Sequence, residues 1–168
     1  FCGGWHPYFG WNIERGSSAA TTALADDGRY LTDLFTDEAV DFVHRHRGEP
    51  FFLHLAYNAP HYPLQSREED LAPFRERGDL TLGVSHVYAM IQRMDAGIAR
   101  VLDALASRGL AENTLVLFSS DNGPQFGGAG KMCTDRFNCG FRGAKLLVYE
   151  GGIRLPMVLR WPAGLARG

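Results

Sequence analysis

Residues 51–57 read Phe-Phe-Leu-His-Leu-Ala-Tyr, a short and almost continuously apolar run. A run of that length and composition predicts a strand covered on both faces, the kind found in the middle of an α/β sheet. Pro60 and Pro63 stop regular structure just beyond it. Upstream, Leu31, Leu34, Phe35, Ala39, Phe42 and Val43 recur at helical spacing. They predict a helix from Thr32 or Thr36 to His46, with Asp37 and Glu38 suited to a first turn and Gly48 and Pro50 ending it. Downstream, the charged stretch Arg67–Asp79 reads as surface. One apolar stripe then runs through Val87, Met90, Ile91, Met94, Ile98, Val101, Leu102 and Leu105. It predicts a long helix over Val84–Arg108, terminated by Gly109. Thr114–Ser119 and Met157–Trp161 complete the pattern as second and third strands. Strand, long helix, strand predicts an α/β fold with helices packed on a sheet. Residues 1–30, aromatic and Gly-rich, carry no period and read as irregular.

The chain has 168 residues, the size of one ordinary domain, and 45% of them are apolar, enough for a real core. Its 17 Lys and Arg against 19 Asp and Glu argue against a general nucleic-acid binder, which carries a basic excess. No apolar run approaches the ~20 residues of a membrane-spanning helix. Glycine is the outlier, at 20 residues, and eight of these fall between Gly123 and Gly152, so that region is predicted to be built of special turns. Cys133 and Cys139 close a short loop in which they could pair or stay free; Cys2 stands apart.

Candidate chemistry collects after the strands. Asn58 and His61 follow the first, and Asp121 and Asn122 follow the second; ligands of open α/β sheets gather beyond the carboxyl ends of strands. Asp121-Asn122-Gly123 is a sequence that favours a turn, and it also offers two hard oxygens suited to Ca²⁺ or Mg²⁺. His61 lies in a proline-stiffened loop, whereas His54 lies inside the apolar run and reads as structural. Lys145 stands between Gly-rich turns, where an ammonium could neutralise an oxyanion. Glu150 and Arg154 could pair around Gly151 and Gly152. No G-x-S-x-G elbow, P-loop or G-x-G-x-x-G occurs.

In order, Y-L-T-D-L-F-T-D-E-A-V-D-F, P-F-F-L-H-L-A-Y-N-A-P-H-Y-P-L-Q, F-S-S-D-N-G-P and F-R-G-A-K-L-L-V-Y-E-G-G-I-R-L-P resemble the sulfatase family over Tyr30–Pro162. The resemblance implies an alkaline-phosphatase-like sheet sandwiched by helices, present here as a partial domain. It implies that Asp121 and Asn122 bind a divalent cation, usually Ca²⁺ with Mg²⁺ as the alternative. It further implies that His61 and Lys145 contact the sulfate group, with His61 also placed to protonate the leaving oxygen. The substrate implied is a small-molecule or glycan sulfate ester, and the location periplasmic, secreted or lysosomal.

The sequence also departs from the family. Sulfatases use a formylglycine made from the Cys or Ser of a C/S-x-P-x-R motif, and no Cys or Ser of this chain sits in that pattern. The aspartate pair that completes the family's metal site is likewise not found. Residues 1–168 are therefore expected to form part of one sulfatase catalytic domain, without its N-terminal nucleophile segment and its C-terminal remainder. The alternatives are a phosphodiesterase or phosphonate monoester hydrolase of the same superfamily, since oxyanion clamps separate sulfate from phosphate poorly, and a noncatalytic relative that binds sulfated glycan or metal.

Overall fold

Two helices organise the chain. α1 (Leu31–Arg45) turns Leu31, Leu34, Phe35, Ala39 and Val43 inward, close to the predicted span. In the computed structural model, which describes residues 7–17 and 20–165, the next helix, α2, covers Glu68–Arg75 and the long helix, α3, covers Leu82–Ser107. Thr81 caps α3, its Oγ1 accepting from the Val84 amide at 3.1 Å. At the other end Gly109 takes φ +69°, the Gly109 amide donates to the Ala106 carbonyl at 3.0 Å, and Leu110 donates to the Leu105 carbonyl at 2.9 Å. That pair of bonds is a Schellman ending, and it explains why the apolar stripe stops there.

α1 and α3 come close together at Gly97. A Cβ there would run into Thr36 Oγ1 and lie 2.8 Å from Tyr57 Oη. The two oxygens are themselves bonded at 2.7 Å, so the missing side chain lets both helices and residues 51–57 meet at one point. The core has two parts. Tyr8, Trp11, Ile13, Tyr30, Leu31, Leu34, Phe35, Ala59 and Met90 form the larger. Val43, Ala104 and Leu105, with Phe51, Leu53 and Val116 against them, form the smaller. α2 rises from the stretch predicted as surface and is anchored by buried Leu71. Its acidic first turn, Glu68, Glu69 and Asp70, suits a helix N-terminus. Between the three helices, Arg93 grips Asp33 with two bonds, Nε at 2.7 Å and Nη2 at 2.6 Å, and Arg67 adds a third at 3.2 Å.

The strands differ more from expectation. Residues 13–24, predicted irregular, form an antiparallel hairpin of β1 (Ile13–Ser17) and β2 (Ala20–Leu24), with Ile13 opposite Leu24. Half of its residues are polar, and those of β2 are exposed except Leu24, so no alternating pattern announces it. Residues 51–57 are extended but pair with no strand among the described residues, and they are not covered on both faces. Phe51, Leu53, Leu55 and Tyr57 pack inward, while Phe52 is 87% exposed and His54 shares its open side. An apolar run dictates an extended backbone; a ladder needs a neighbouring strand, which is a non-local matter. His54 is accordingly a solvent-facing residue rather than an interior one. β3 (Val116–Ser119) and β4 (Met157–Arg160) pair antiparallel, Leu117 opposite Leu159, within the two predicted spans.

Candidate functional site

β3 delivers Asp121 and Asn122 to the end of the β3–β4 ladder. Ser119 Oγ donates to the Pro156 carbonyl at 3.1 Å, and Ser120 Oγ donates to the Asn122 carbonyl at 3.0 Å, so the turn is fixed from both strands. The Asn122 amide nitrogen donates to the Gly123 carbonyl at 2.8 Å. Its amide oxygen is therefore the atom it could offer a cation. Asp121 is exposed beside it. The turn reading and the ligand reading of this tripeptide are thus compatible in one geometry.

Lys145 arrives from a different direction. Its backbone amide donates to the Pro124 carbonyl at 2.9 Å, and the Gly123 amide donates to the Gly152 carbonyl at 2.9 Å. These two bonds stitch residues 123–124 onto the loop that carries Lys145. The contact is backbone against backbone: a Cβ at Gly123 would overlap the Gly151 carbonyl oxygen, and one at Gly151 would overlap that of Gly143. The cluster of glycines predicted to form special turns is what permits this approach. Around it, helix α4 (Glu150–Ile153) is a single turn, Glu150 pairs with Arg154 at 3.4 Å, and the Arg154 guanidinium lies 4.8 Å from the Phe141 ring centre. The Glu150–Arg154 pair is the one expected from the sequence.

His61 sits on a separate loop after Asn58-Ala59-Pro60. Its amide donates to the Asn58 carbonyl at 2.8 Å, and Nδ1 bonds the Tyr62 carbonyl at 2.8 Å, which orients the ring. Tyr8 Oη donates to the His61 carbonyl at 3.0 Å and the Tyr8 amide to Gln65 Oε1 at 2.8 Å; Tyr30 Oη donates to the Gln65 carbonyl at 2.7 Å. Tyr8 and Tyr30 stack with ring centres 5.3 Å apart, and burial pushes both phenols up from their ordinary value, so they stay neutral donors. The structure thus joins Asp121, Asn122 and Lys145 through adjoining backbone, and it holds His61 through Tyr8 and Asn58 instead. The anchoring roles of Tyr8, Tyr30 and Gln65 are not legible in the sequence, although Tyr30 opens one of the quoted motifs and Gln65 closes another.

The remaining candidates settle simply. His46 pairs with Glu49 at 2.6 Å, and His86 Nδ1 meets Ser66 Oγ at 2.8 Å, where burial lowers the imidazole's pKa. Cys133 and Cys139 are both free thiols. Cys2 and His6 lie outside the described residues. Among the described residues no three of His, Cys, Asp and Glu gather in a metal-binding group. The oxygen donors of Asp121 and Asn122 are chemically right for Ca²⁺, but fall short of the ~6–8 it takes.

The family profile named Sulfatase matches residues 3–167. The chain belongs to the sulfatase family. It is 35% identical over 144 residues to the uncharacterized sulfatase YdeN of Escherichia coli (strain K12), covering 83% of this chain and 24% of that protein. It is 37% identical over 142 residues to the steryl-sulfatase of Mus musculus, covering 82% of this chain and 21% of that one. Among solved structures it is similar to Ps i-CgsB in complex with k-i-k-neocarrahexaose, with a TM-score of 0.72 and 35% identity over 84% of this chain and 31% of the other. The chain therefore spans about a quarter of the length of the curated sulfatases it matches. The expected alkaline-phosphatase-like fold, present as a partial domain, agrees with these sulfatase neighbours.

Proposed function

We propose that residues 1–168 are part of a single sulfatase catalytic domain that hydrolyses small-molecule or glycan sulfate esters, and that they supply part of its cation site and part of its sulfate site. The observation that carries the reading is the stitched junction of Gly123 with Gly152 and of Pro124 with Lys145. It sets a carboxylate, an amide and an ammonium group on adjoining backbone, the combination an oxyanion and its counter-cation need.

In this reading Asp121 and Asn122 would hold Ca²⁺, or Mg²⁺ in its place. When bound, such a cation neutralises charge on sulfate oxygens as a Lewis acid. Lys145 places its ammonium against another sulfate oxygen and stabilises the charge that builds in the transition state. His61, protonated, donates a proton to the ester oxygen as its bond to sulfur breaks, so the alcohol leaves neutral. The attacking group comes from outside these residues, because no Cys or Ser here lies in C/S-x-P-x-R.

The test is hydrolysis of p-nitrophenyl sulfate with Ca²⁺ by the full-length polypeptide and by residues 1–168 alone. Turnover by the first and none by the second is expected. Turnover by the 168-residue chain would place the nucleophile within it. A full-length protein that cleaves p-nitrophenyl phosphate esters and ignores the sulfate would make it a phosphoryl hydrolase of the same fold.

A further inference from the structure

The loop that presents Lys145 is held in a costly shape. Leu146, directly after the lysine, has φ +73°, a left-handed conformation that a leucine avoids. Its side chain is 87% exposed, so no packing of its own compensates. Such a backbone persists only where the bonds around it over-determine it, and residues held this way cluster at functional sites. Two of those bonds flank it, one to a distant stretch and one within the turn: Lys145 N–H to the Pro124 carbonyl at 2.9 Å, and Leu147 N–H to the Ala144 carbonyl at 3.1 Å.

A further hold comes from one side chain. Asn138, half-buried, donates from its amide nitrogen to two carbonyls, Phe141 at 2.9 Å and Gly143 at 3.2 Å. Between them, the Arg142 carbonyl accepts the Gly151 amide at 2.8 Å, and Gly143 itself has φ +84° with Tyr149 Cβ 2.9 Å from where a Cβ would stand. The Arg142 guanidinium lies 3.8 Å from the Tyr149 ring centre and donates to Tyr149 Oη at 2.9 Å. Residues 141–143 are thus fixed by Asn138 through their carbonyls and by Gly151 and Tyr149 across the turn. Lys145 follows two residues later.

We propose that Asn138 is a positioning residue for Lys145: its two-carbonyl clasp sets the path of residues 141–143 and so the direction in which the lysine leaves the backbone. The proposal rests on the reading of Lys145 as a sulfate-contacting group. Arg142 assists through its stack on Tyr149. Displacing a group by about 1 Å can cost as much as ~10²-fold in rate, so a side chain that touches no substrate can still govern turnover.

The test is a double-mutant cycle in the full-length enzyme, with kcat and KM for p-nitrophenyl sulfate measured in the native protein, Asn138→Asp, Lys145→Ala and the pair. Asn138→Asp keeps the shape and removes both N–H donors. It is expected to lower kcat roughly 10-fold when Lys145 is present and to have no effect on kcat when Lys145 is already alanine. Arg142→Met, a milder change, is expected to show the same dependence at about 3-fold. Equal losses in both backgrounds, with Lys145→Ala itself impaired, would overturn the positioning role and leave the site reading standing. A Lys145→Ala enzyme with native kcat would overturn the site reading itself, and the proposal with it.

Discussion

The helical half of the molecule and the half that carries Lys145 are held together by different physics. In the first, α1 and α3 bury Leu31, Leu34, Val43 and Met90 almost completely, and the elements meet through side chains. In the second, the β3–β4 ladder leaves Leu117, Val158 and Leu159 open, and the turns beyond it meet through carbonyls and amides at glycine. Apolar burial makes a stable support but tolerates small adjustments in where each side chain lies. Backbone stitched to backbone tolerates almost none, which suits the role proposed for Asp121, Asn122 and Lys145 at a small oxyanion. The division predicts that substitutions in the first half change stability and those in the second change geometry.

The largest expected effect falls in the second half. On the proposed function, Lys145→Ala in the full-length protein should lower kcat roughly 10²–10³-fold, the scale for loss of one oxyanion-stabilising group, with an unchanged melting temperature. Steady-state kinetics beside a thermal melt separate the two. A comparable fall in stability would erase the distinction between the halves.

Next in size is the core. Leu34→Ala removes a side chain that is 1% exposed and should cost about 2–5 kcal/mol in urea unfolding of the 168-residue chain. The same truncation at Phe52, 87% exposed, should stay within about 0.5 kcal/mol in that chain. A large loss at Phe52 would mean that its open side is covered.

Glycine substitutions sharpen the contrast. Gly97→Ala gains about 1 kcal/mol of helix propensity, yet its Cβ meets Thr36 and Tyr57, and the net should be destabilising by about 1–3 kcal/mol. Gly123→Ala drives a Cβ into the Gly151 carbonyl, so it should part the Asn122 turn from the Lys145 loop and lower turnover roughly 10-fold beyond its effect on melting. Paired melts and kinetics on the two variants check both statements.

The smallest effect depends on pH. Asp70 is mostly buried, its Oδ2 has no hydrogen-bond partner, and Arg93 stands 4.0 Å from Oδ1. Burial, outweighing the pull of Arg93, raises its carboxyl above the ordinary value. A raised folded-state pKa means that the folded chain holds the proton more tightly than the unfolded one. Its unfavourable contribution is absent below the ordinary Asp value, grows as pH rises through it, and is complete above the raised value. Asp70→Asn should therefore melt higher than the native chain at pH 7, with the gap closing toward pH 3. A constant gap across that range would assign the effect to packing.

How much of this was legible in the sequence follows the same division. α1 and α3 could be read to within a few residues because Leu31–Val43 and Val87–Leu105 carry their period locally, and Gly109 announces its own ending. The β1–β2 hairpin was missed because its exposed Thr21 and Thr22 show no apolar alternation. Residues 51–57 are extended, as read, but pair with no strand among the described residues, since a partner strand cannot be inferred from the strand itself. At the site, Asp121, Asn122, His61 and Lys145 stood out by residue type. The clasp of Asn138 and the tyrosine anchors of the His61 loop did not, because a hydrogen bond to a distant carbonyl leaves no local pattern.

On the proposed function, His61, Lys145, Asp121 and Asn122 serve one oxyanion and one cation. A crystal structure of the full-length protein with Ca²⁺ and inorganic sulfate tests it most directly. Asp121 and Asn122 oxygens are expected on the cation, with the His61 ring and the Lys145 ammonium within hydrogen-bond distance of the same sulfate, all four side-chain ends lying within about 10 Å of a common point. A sulfate bound by Lys145 with His61 turned to another face of the molecule, or a cation held without Asp121, would contradict it.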